Sequence, residues 1–165
     1  MRKPSIRGTL TALATLALCG STAAAASTAQ ASTAQAGKAT VRPAAACTST
    51  TKGVTEVVDF GKLKTTNKVK TGCDPANAKN GLAALKGAGF TYSFVPRYPG
   101  FVCRIDSLPK PCNGAPATAY WSYWHAKRGG KWILSQAGAG SYHPAPGSVQ
   151  GWAFGAGKAP RIPPP

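Results

Sequence analysis

Read from its amino end, the chain first shows an apolar run, Leu10 to Leu18, interrupted only by Thr11 and Thr15. The basic residues Arg2, Lys3 and Arg7 precede it and small residues follow. A run of about nine residues is well short of the roughly 20 that a membrane-spanning helix requires, and the three-part layout is that of an export signal. Residues 1–36 are therefore expected to be a signal peptide that is removed. Ala29-Gln30-Ala31 and Ala34-Gln35-Ala36 are the fitting cleavage sites, with the alanine cluster at Ala23 to Ala26 as a third. Residues 37–46 then read as a flexible lead.

Beyond that lead the rhythm is mostly of period two. Val54 to Phe60, rich in β-branched residues and closed by Gly61, predicts a strand; Lys62 to Lys68 turns around Thr65, Thr66 and Asn67, and Lys68 to Thr71 returns as a second strand. Helical spacing occurs once. Asp74 is suited to capping, Pro75 to the first helical position, and Leu82 and Leu85 stand three apart before Gly87 and Gly89, which predicts a helix over Pro75 to Lys86. Phe90 to Val95 alternates, Pro96 to Gly100 turns, and Phe101 to Ile105 is a further strand. Thr118 to His125 and Lys131 to Gln136 form a hairpin with a basic tip, and Ser148 to Phe154 is the last strand. Residues 156–165, with Pro160 and Pro163 to Pro165, are expected to be a disordered Pro-rich tail. Strands, one helix, then more strands predict an α+β domain at residues 47–155, with a mainly antiparallel sheet under one helix.

Alternation in the hairpin's first arm sets Tyr120, Ser122 and Trp124 on one face and Trp121, Tyr123 and His125 on the other. The plain reading of Tyr120, Trp121, Tyr123, Trp124, Trp132 and Trp152 is that alternate members build the core. The sharper one follows from a single helix covering a single face. Aromatics on the open face would form a stacking platform for a sugar, base or flat macrocycle, and periodicity leaves open which row that is.

Charge changes the picture next. The 165 residues hold 20 Lys plus Arg against 4 Asp plus Glu. Removal of residues 1–36 takes three of the 20 with it, so 17 cations face 4 anions, a formal +13. Such a field attracts nucleic acid, anionic cell-wall polymer, acidic polysaccharide or anionic lipid. Lys62, Lys64, Lys68 and Lys70 flank one turn, and Lys127, Arg128 and Lys131 crowd another. These are either solvated lysines that keep an exported protein soluble or an anion-binding set.

Chemistry has little to work with. The only carboxylates are Glu56, Asp59, Asp74 and Asp106, and only Asp59 with Asp106 could serve as a glycosidase pair. His125 and His143 with Lys131 are thin support for phosphodiester cleavage. No G-x-S-x-G motif or phosphate loop occurs, and neither an enzyme nor a cofactor is expected. Metal is not expected either, since there is no CxxC pair and there are only two histidines. Four cysteines outlast the signal, and four permit three pairings. Pro109, Lys110 and Pro111 let the chain fold back between Cys103 and Cys112, so Cys103 with Cys112 and Cys47 with Cys73 are the expected disulfides of an exported domain. Cys19 would be a lipid-anchoring alternative, but Leu18 sits where a small residue is wanted, and the soluble, extracellular form is the expectation.

The segments VVDFGK at Val57 to Lys62, GLAALKGAGF at Gly81 to Phe90, FVCRID at Phe101 to Asp106, AYWSYWHAKRGGKWILSQAGA at Ala119 to Ala139 and PGSVQGWAFG at Pro146 to Gly155 together resemble a group of small exported actinobacterial proteins often encoded beside uptake transporters. More distantly, the chain is similar to the domain related to the carboxy-terminal β-domain of transcobalamin and intrinsic factor. The resemblance implies a β-grasp architecture and a role in presenting a corrinoid or other small ligand to an uptake system. The carriers' helical domain has no counterpart here, and the turn Lys127 to Gly130 lacks the asparagine-glycine pair usual in that domain. The expected function is thus a secreted, non-enzymatic binding domain for a small, corrinoid-like ligand. The alternatives are a basic cell-envelope or polysaccharide-associated interaction protein, and a secreted inhibitor or toxin.

Overall fold

The computed structural model describes residues 45–112 and 119–165. The expected signal peptide, Cys19, the lead up to residue 44 and Thr118 lie outside the described residues.

Strand β1 (Val54–Asp59) is buried along its whole length, which is why its valines follow no simple alternation. It pairs antiparallel with β2 (Val69–Asp74), Val54 opposite Asp74 and Asp59 opposite Val69. Between them lies a 3-10 turn, Gly61–Leu63. Gly61 takes a φ of 56° there, and a Cβ at that position would meet the Phe154 carbonyl oxygen at 2.5 Å, so only glycine lets the turn lie against its neighbour.

The helix α1 (Gly81–Gly87) starts later than Asp74 and Pro75 predict. Sheet pairing with Val54 keeps Asp74 in β2, where its carboxylate accepts from the Ala76 amide at 3.2 Å. Asn80 does the capping instead, accepting from the Ala83 amide at 2.8 Å. The Asn80-Gly81 pair is thus the start of the helix, and Gly81 is small because a Cβ there would collide with the Tyr123 hydroxyl. Leu82 and Leu85 face inward as their spacing requires.

A separate two-stranded hairpin follows, β3 (Tyr92–Val95) with β4 (Tyr98–Ile105). Its turn is shorter than expected, and Tyr98 and Phe101 project from it, 66% and 69% exposed. Next come β5 (Tyr120–Ala126), the two-residue β6 (Ile133–Leu134) and β7 (Val149–Gly155). The main sheet runs β2-β1-β7-β5-β6. Its joins are antiparallel except in the middle, where β1 and β7 pair in parallel with Val58 opposite Trp152. The α+β class holds. Both expected disulfides form, with Cα atoms 4.8 Å apart for Cys47 and Cys73 and 5.7 Å apart for Cys103 and Cys112. No helix among the described residues is long and apolar enough to cross a membrane.

One face of the sheet packs Val58, Phe60, Trp121, Tyr123 and Trp152 against Leu82, Leu85, Phe90 and Ile105. Aromatic rings meet edge to face, Phe60 with Trp121 at 5.5 Å between centroids and Trp121 with Phe154 at 5.4 Å. Each such side chain, once hidden, contributes about 1.5–3 kcal/mol.

The opposite face is not open, against expectation. At one end the segment beginning at Ala45 lies on it: the Cys47 amide donates to Thr55 Oγ1 at 3.0 Å, and Arg128 donates to the carbonyls of Cys47 and Ser49 at 2.5 and 2.9 Å. At the other end lie residues 156–165. The expected disordered tail is instead a strap in which Pro160 and Pro164 are buried and Arg161 pairs with Asp59 at 2.8 Å. Composition misleads here because proline carries little conformational entropy to lose, so a few good contacts suffice to order it.

Candidate functional site

The aromatic candidates separate into two groups. Trp121, Tyr123 and Trp152 are 7%, 8% and 2% exposed and belong to the core, so they supply no platform. The Trp121 indole donates to the Leu108 carbonyl at 3.3 Å, which satisfies it inside. His125, in the same row, stacks on Tyr142 at 4.6 Å between centroids. Tyr120, Trp124 and Trp132 lie on the other side, with the strap. A Cβ on Gly157 of the strap would collide with the Tyr120 hydroxyl, Trp124 donates to Ser122 Oγ at 2.8 Å, and Trp132 donates to the Ile162 carbonyl at 2.8 Å.

The cations divide as well. Lys70 donates to Asp106 at 2.7 Å, Lys64 sits 4.1 Å from the centre of the Phe60 ring, and Arg128 anchors the Cys47 segment. Burial first, and then the nearby Lys70 charge, hold Lys64 below its ordinary pKa. Lys62, Lys127 and Lys131 are exposed. These three, with the half-buried Lys68, are what remains of the anion-binding set.

All four carboxylates have structural employment. Asp59 lies 4% exposed under the strap. Burial works to raise its pKa, but hydrogen bonds from Arg161 and from the Gly61 amide outweigh that and hold it below the usual range. Asp106 accepts from Lys70 and from the Thr91 amide. Asp74 is buried, and that burial raises its pKa. Glu56 is buried completely among Trp152, Tyr123 and Gln150.

Residues 113–162 are similar to the SCO2322-like domain. No curated protein and no solved structure matches the chain. The SCO2322-like stretch takes in β5, β6, β7 and the strap as far as Ile162, so Tyr120, Trp124 and Trp132 and the residues lying over them belong to one matched segment. Asp59, which fixes Arg161 of that segment, comes from β1 outside it. Sequence reasoning missed the strap and its anchor. The available signal was Arg161 and Ile162 interrupting the prolines, since a purely solvated tail has no need of either.

Beneath the helix, the Trp152 indole donates to Glu56 Oε2 at 3.1 Å and the Tyr123 hydroxyl donates to Gln150 Oε1. Glu56 Oε1 and Gln150 Nε2 have no partner among the described residues. Desolvation pushes the Glu56 pKa well above 4.5, only partly offset by the Trp152 hydrogen bond, and drives the Tyr123 phenol up too. A carboxyl whose folded pKa is raised costs stability progressively as pH climbs from its unfolded value toward the folded one. Glu56→Gln should therefore raise both the melting temperature and the unfolding free energy, by a margin over the parent that grows between pH 4.5 and 8 and reaches about 1–3 kcal/mol in free energy, the cost of an unsatisfied buried group. Thermal melts across that range check it; a difference that shrinks with pH would show the carboxylate to be stabilised in place.

Proposed function

We propose that the mature chain is an exported, non-enzymatic binding domain whose exposed cations hold an anionic cell-envelope polymer or acidic polysaccharide. The observation that carries this reading is the disposition of the four carboxylates: Glu56 and Asp74 are buried, Asp59 is paired with Arg161 and Asp106 with Lys70. No acidic side chain is left free at the surface to balance Lys62, Lys127 and Lys131. Opposed free carboxyls of the kind a glycosidase needs are also missing from the described residues. Export is supported by the amino-terminal layout and by two disulfides, which persist outside a reducing cytoplasm.

Retention on an anionic matrix tests the reading. It should fall steeply between about 50 and 200 mM salt as bound counterions compete. The pair Lys127→Gln and Lys131→Gln should lower the logarithmic salt slope by about one per cation removed, with thermal stability unchanged. Elution from anionic and neutral columns at the same low salt would overturn it.

A second reading, presentation of a corrinoid-like ligand to an uptake system, draws support from the strand order. With the β3–β4 hairpin set aside, a helix after the second strand and a parallel central pair formed by the first and last strands are the features of a β-grasp sheet. Its stacking row would have to be Tyr120, Trp124 and Trp132. Cobalamin binding that persists at high salt would favour it over the charge-driven reading.

A further inference from the structure

Residues 159–165, Ala-Pro-Arg-Ile-Pro-Pro-Pro, are held by several kinds of contact at once. Pro160 is buried over Gly151, where a Cβ would stand 2.8 Å from the proline Cγ and 2.7 Å from the Trp132 ring, so the missing side chain makes the floor of the groove. The Trp132 indole N–H donates to the Ile162 carbonyl at 2.8 Å, and the Gly129 amide donates to the Pro164 carbonyl at 3.0 Å. Arg161 reaches Asp59 through its backbone amide and Nε at 2.9 Å each and through its second guanidinium nitrogen at 2.8 Å. Asp59 Oδ1 also accepts from the Gly61 amide at 2.9 Å, which holds the carboxylate in place independently of the arginine.

An aromatic wall, an indole donor aimed at a carbonyl among prolines, and a fixed carboxylate for an arginine are the means by which proline-rich segments are recognised. Proline arrives with little entropy to lose, and its carbonyls have no competing partners within the segment. The strap adds no strand to the sheet, so no ladder depends on it. It departs from β7 through Gly155 and Gly157, both at positive φ, and a cavity of about 260 Å³ lined by Asp59, Phe154, Lys158 and Arg161 separates its first residues from the sheet end. The segment is thus gripped at its prolines and arginine, and it is tethered to β7 through two glycines, of which Gly157 lies close against Tyr120.

We propose that this face is a recognition site for an arginine-containing, proline-rich peptide, occupied in cis by residues 159–165, and that it accepts a segment of the same chemistry from a partner protein in exchange. Asp59 reads the arginine, Trp132 and Gly129 read the carbonyls, and Gly151 admits the proline ring. A tether places the resident segment at an effective concentration on the order of millimolar, so a free peptide competes poorly until the tether is cut or the grip is weakened.

The full chain, folded and oxidised, is given a specific protease site between Gly157 and Lys158, cut, and titrated with fluorescent Ala-Pro-Arg-Ile-Pro-Pro-Pro. Saturable binding should appear on cutting and be at least about tenfold tighter than in the uncut chain, as expected when millimolar competition is removed. Asp59→Asn should weaken it by about tenfold, and a peptide with glutamine for arginine should bind the Asp59→Asn chain no worse than the parent peptide does, a coupling that general loss of structure would not produce. The uncut Arg161→Gln chain, whose own segment keeps only the backbone-amide bond to Asp59 and loses both guanidinium contacts, should bind the peptide better than the parent. The proposal is overturned if neither the cut chain nor the Arg161→Gln chain binds the peptide, or if a shuffled peptide binds equally well.

Discussion

Replacing Trp152 by alanine is expected to cost about 4–5 kcal/mol, about a third or more of the stability of a domain of this size. Trp152 is 2% exposed at the middle of β7, with its ring centroid 4.8 Å from that of Tyr123. Truncation removes the largest fully buried side chain and leaves a hole that the surrounding strands, paired on both sides of β7, cannot close. It also takes away the Glu56 partner, so a completely buried carboxyl is left with neither oxygen satisfied. The two losses are separable. Trp152→Phe keeps most of the packing and removes only the N–H, and should cost about 1–3 kcal/mol, the range for orphaning a buried polar group. Glu56→Gln should soften the alanine variant's defect, because the group left behind is then neutral. Urea titrations of the four chains give these values; an alanine variant within 1 kcal/mol of the parent would mean that the core is not organised around this indole.

The same residue shows what patterning conveys and what it omits. Alternation along Tyr120 to His125 separates the two aromatic rows correctly, because a strand has a period of two whatever covers it. It is silent on which row faces in, since that depends on which side of the sheet α1 crosses. The parallel pairing of β1 with β7 joins Thr55 to Val149 across most of the domain, and no local signal announces a partner so distant. Asp74 and Asn80 are both competent helix caps, and the choice fell to Asn80 because β2 had already claimed Asp74 for the sheet. The cysteine pairs were legible for a simpler reason: two prolines in a nine-residue separation confine the chain to returning on itself, which leaves the other pair by exclusion. The strap was illegible because proline content measures the entropy a segment brings and says nothing of the contacts waiting for it. Those contacts, Asp59 and Trp132, stand about 100 and 30 residues away in sequence.

Loss of the Cys47–Cys73 disulfide should be the second largest single defect, and larger than loss of Cys103–Cys112. The bridges span 26 and 9 residues, and constraint of the unfolded chain alone assigns them about 3.5 and about 2.6 kcal/mol. Position widens the gap. Cys47 is 4% exposed, its amide holds Thr55, and its carbonyl receives Arg128, so the bridge fastens the segment that hides one end of β1 from water. Replacing both Cys47 and Cys73 by alanine should free that segment, expose the Thr55 and Val149 end of the sheet, and lower the urea midpoint further than the Cys103→Ala, Cys112→Ala pair does. Amide exchange adds a spatial check: protection should fall first in β1 and β2, with the β3–β4 hairpin unaffected, whereas the second pair should loosen that hairpin alone. A difference no larger than the roughly 1 kcal/mol that the two loop lengths alone assign, or loss of protection spread evenly over the sheet in both, would place the stabilisation in the unfolded chain rather than in the segment that Cys47 pins down.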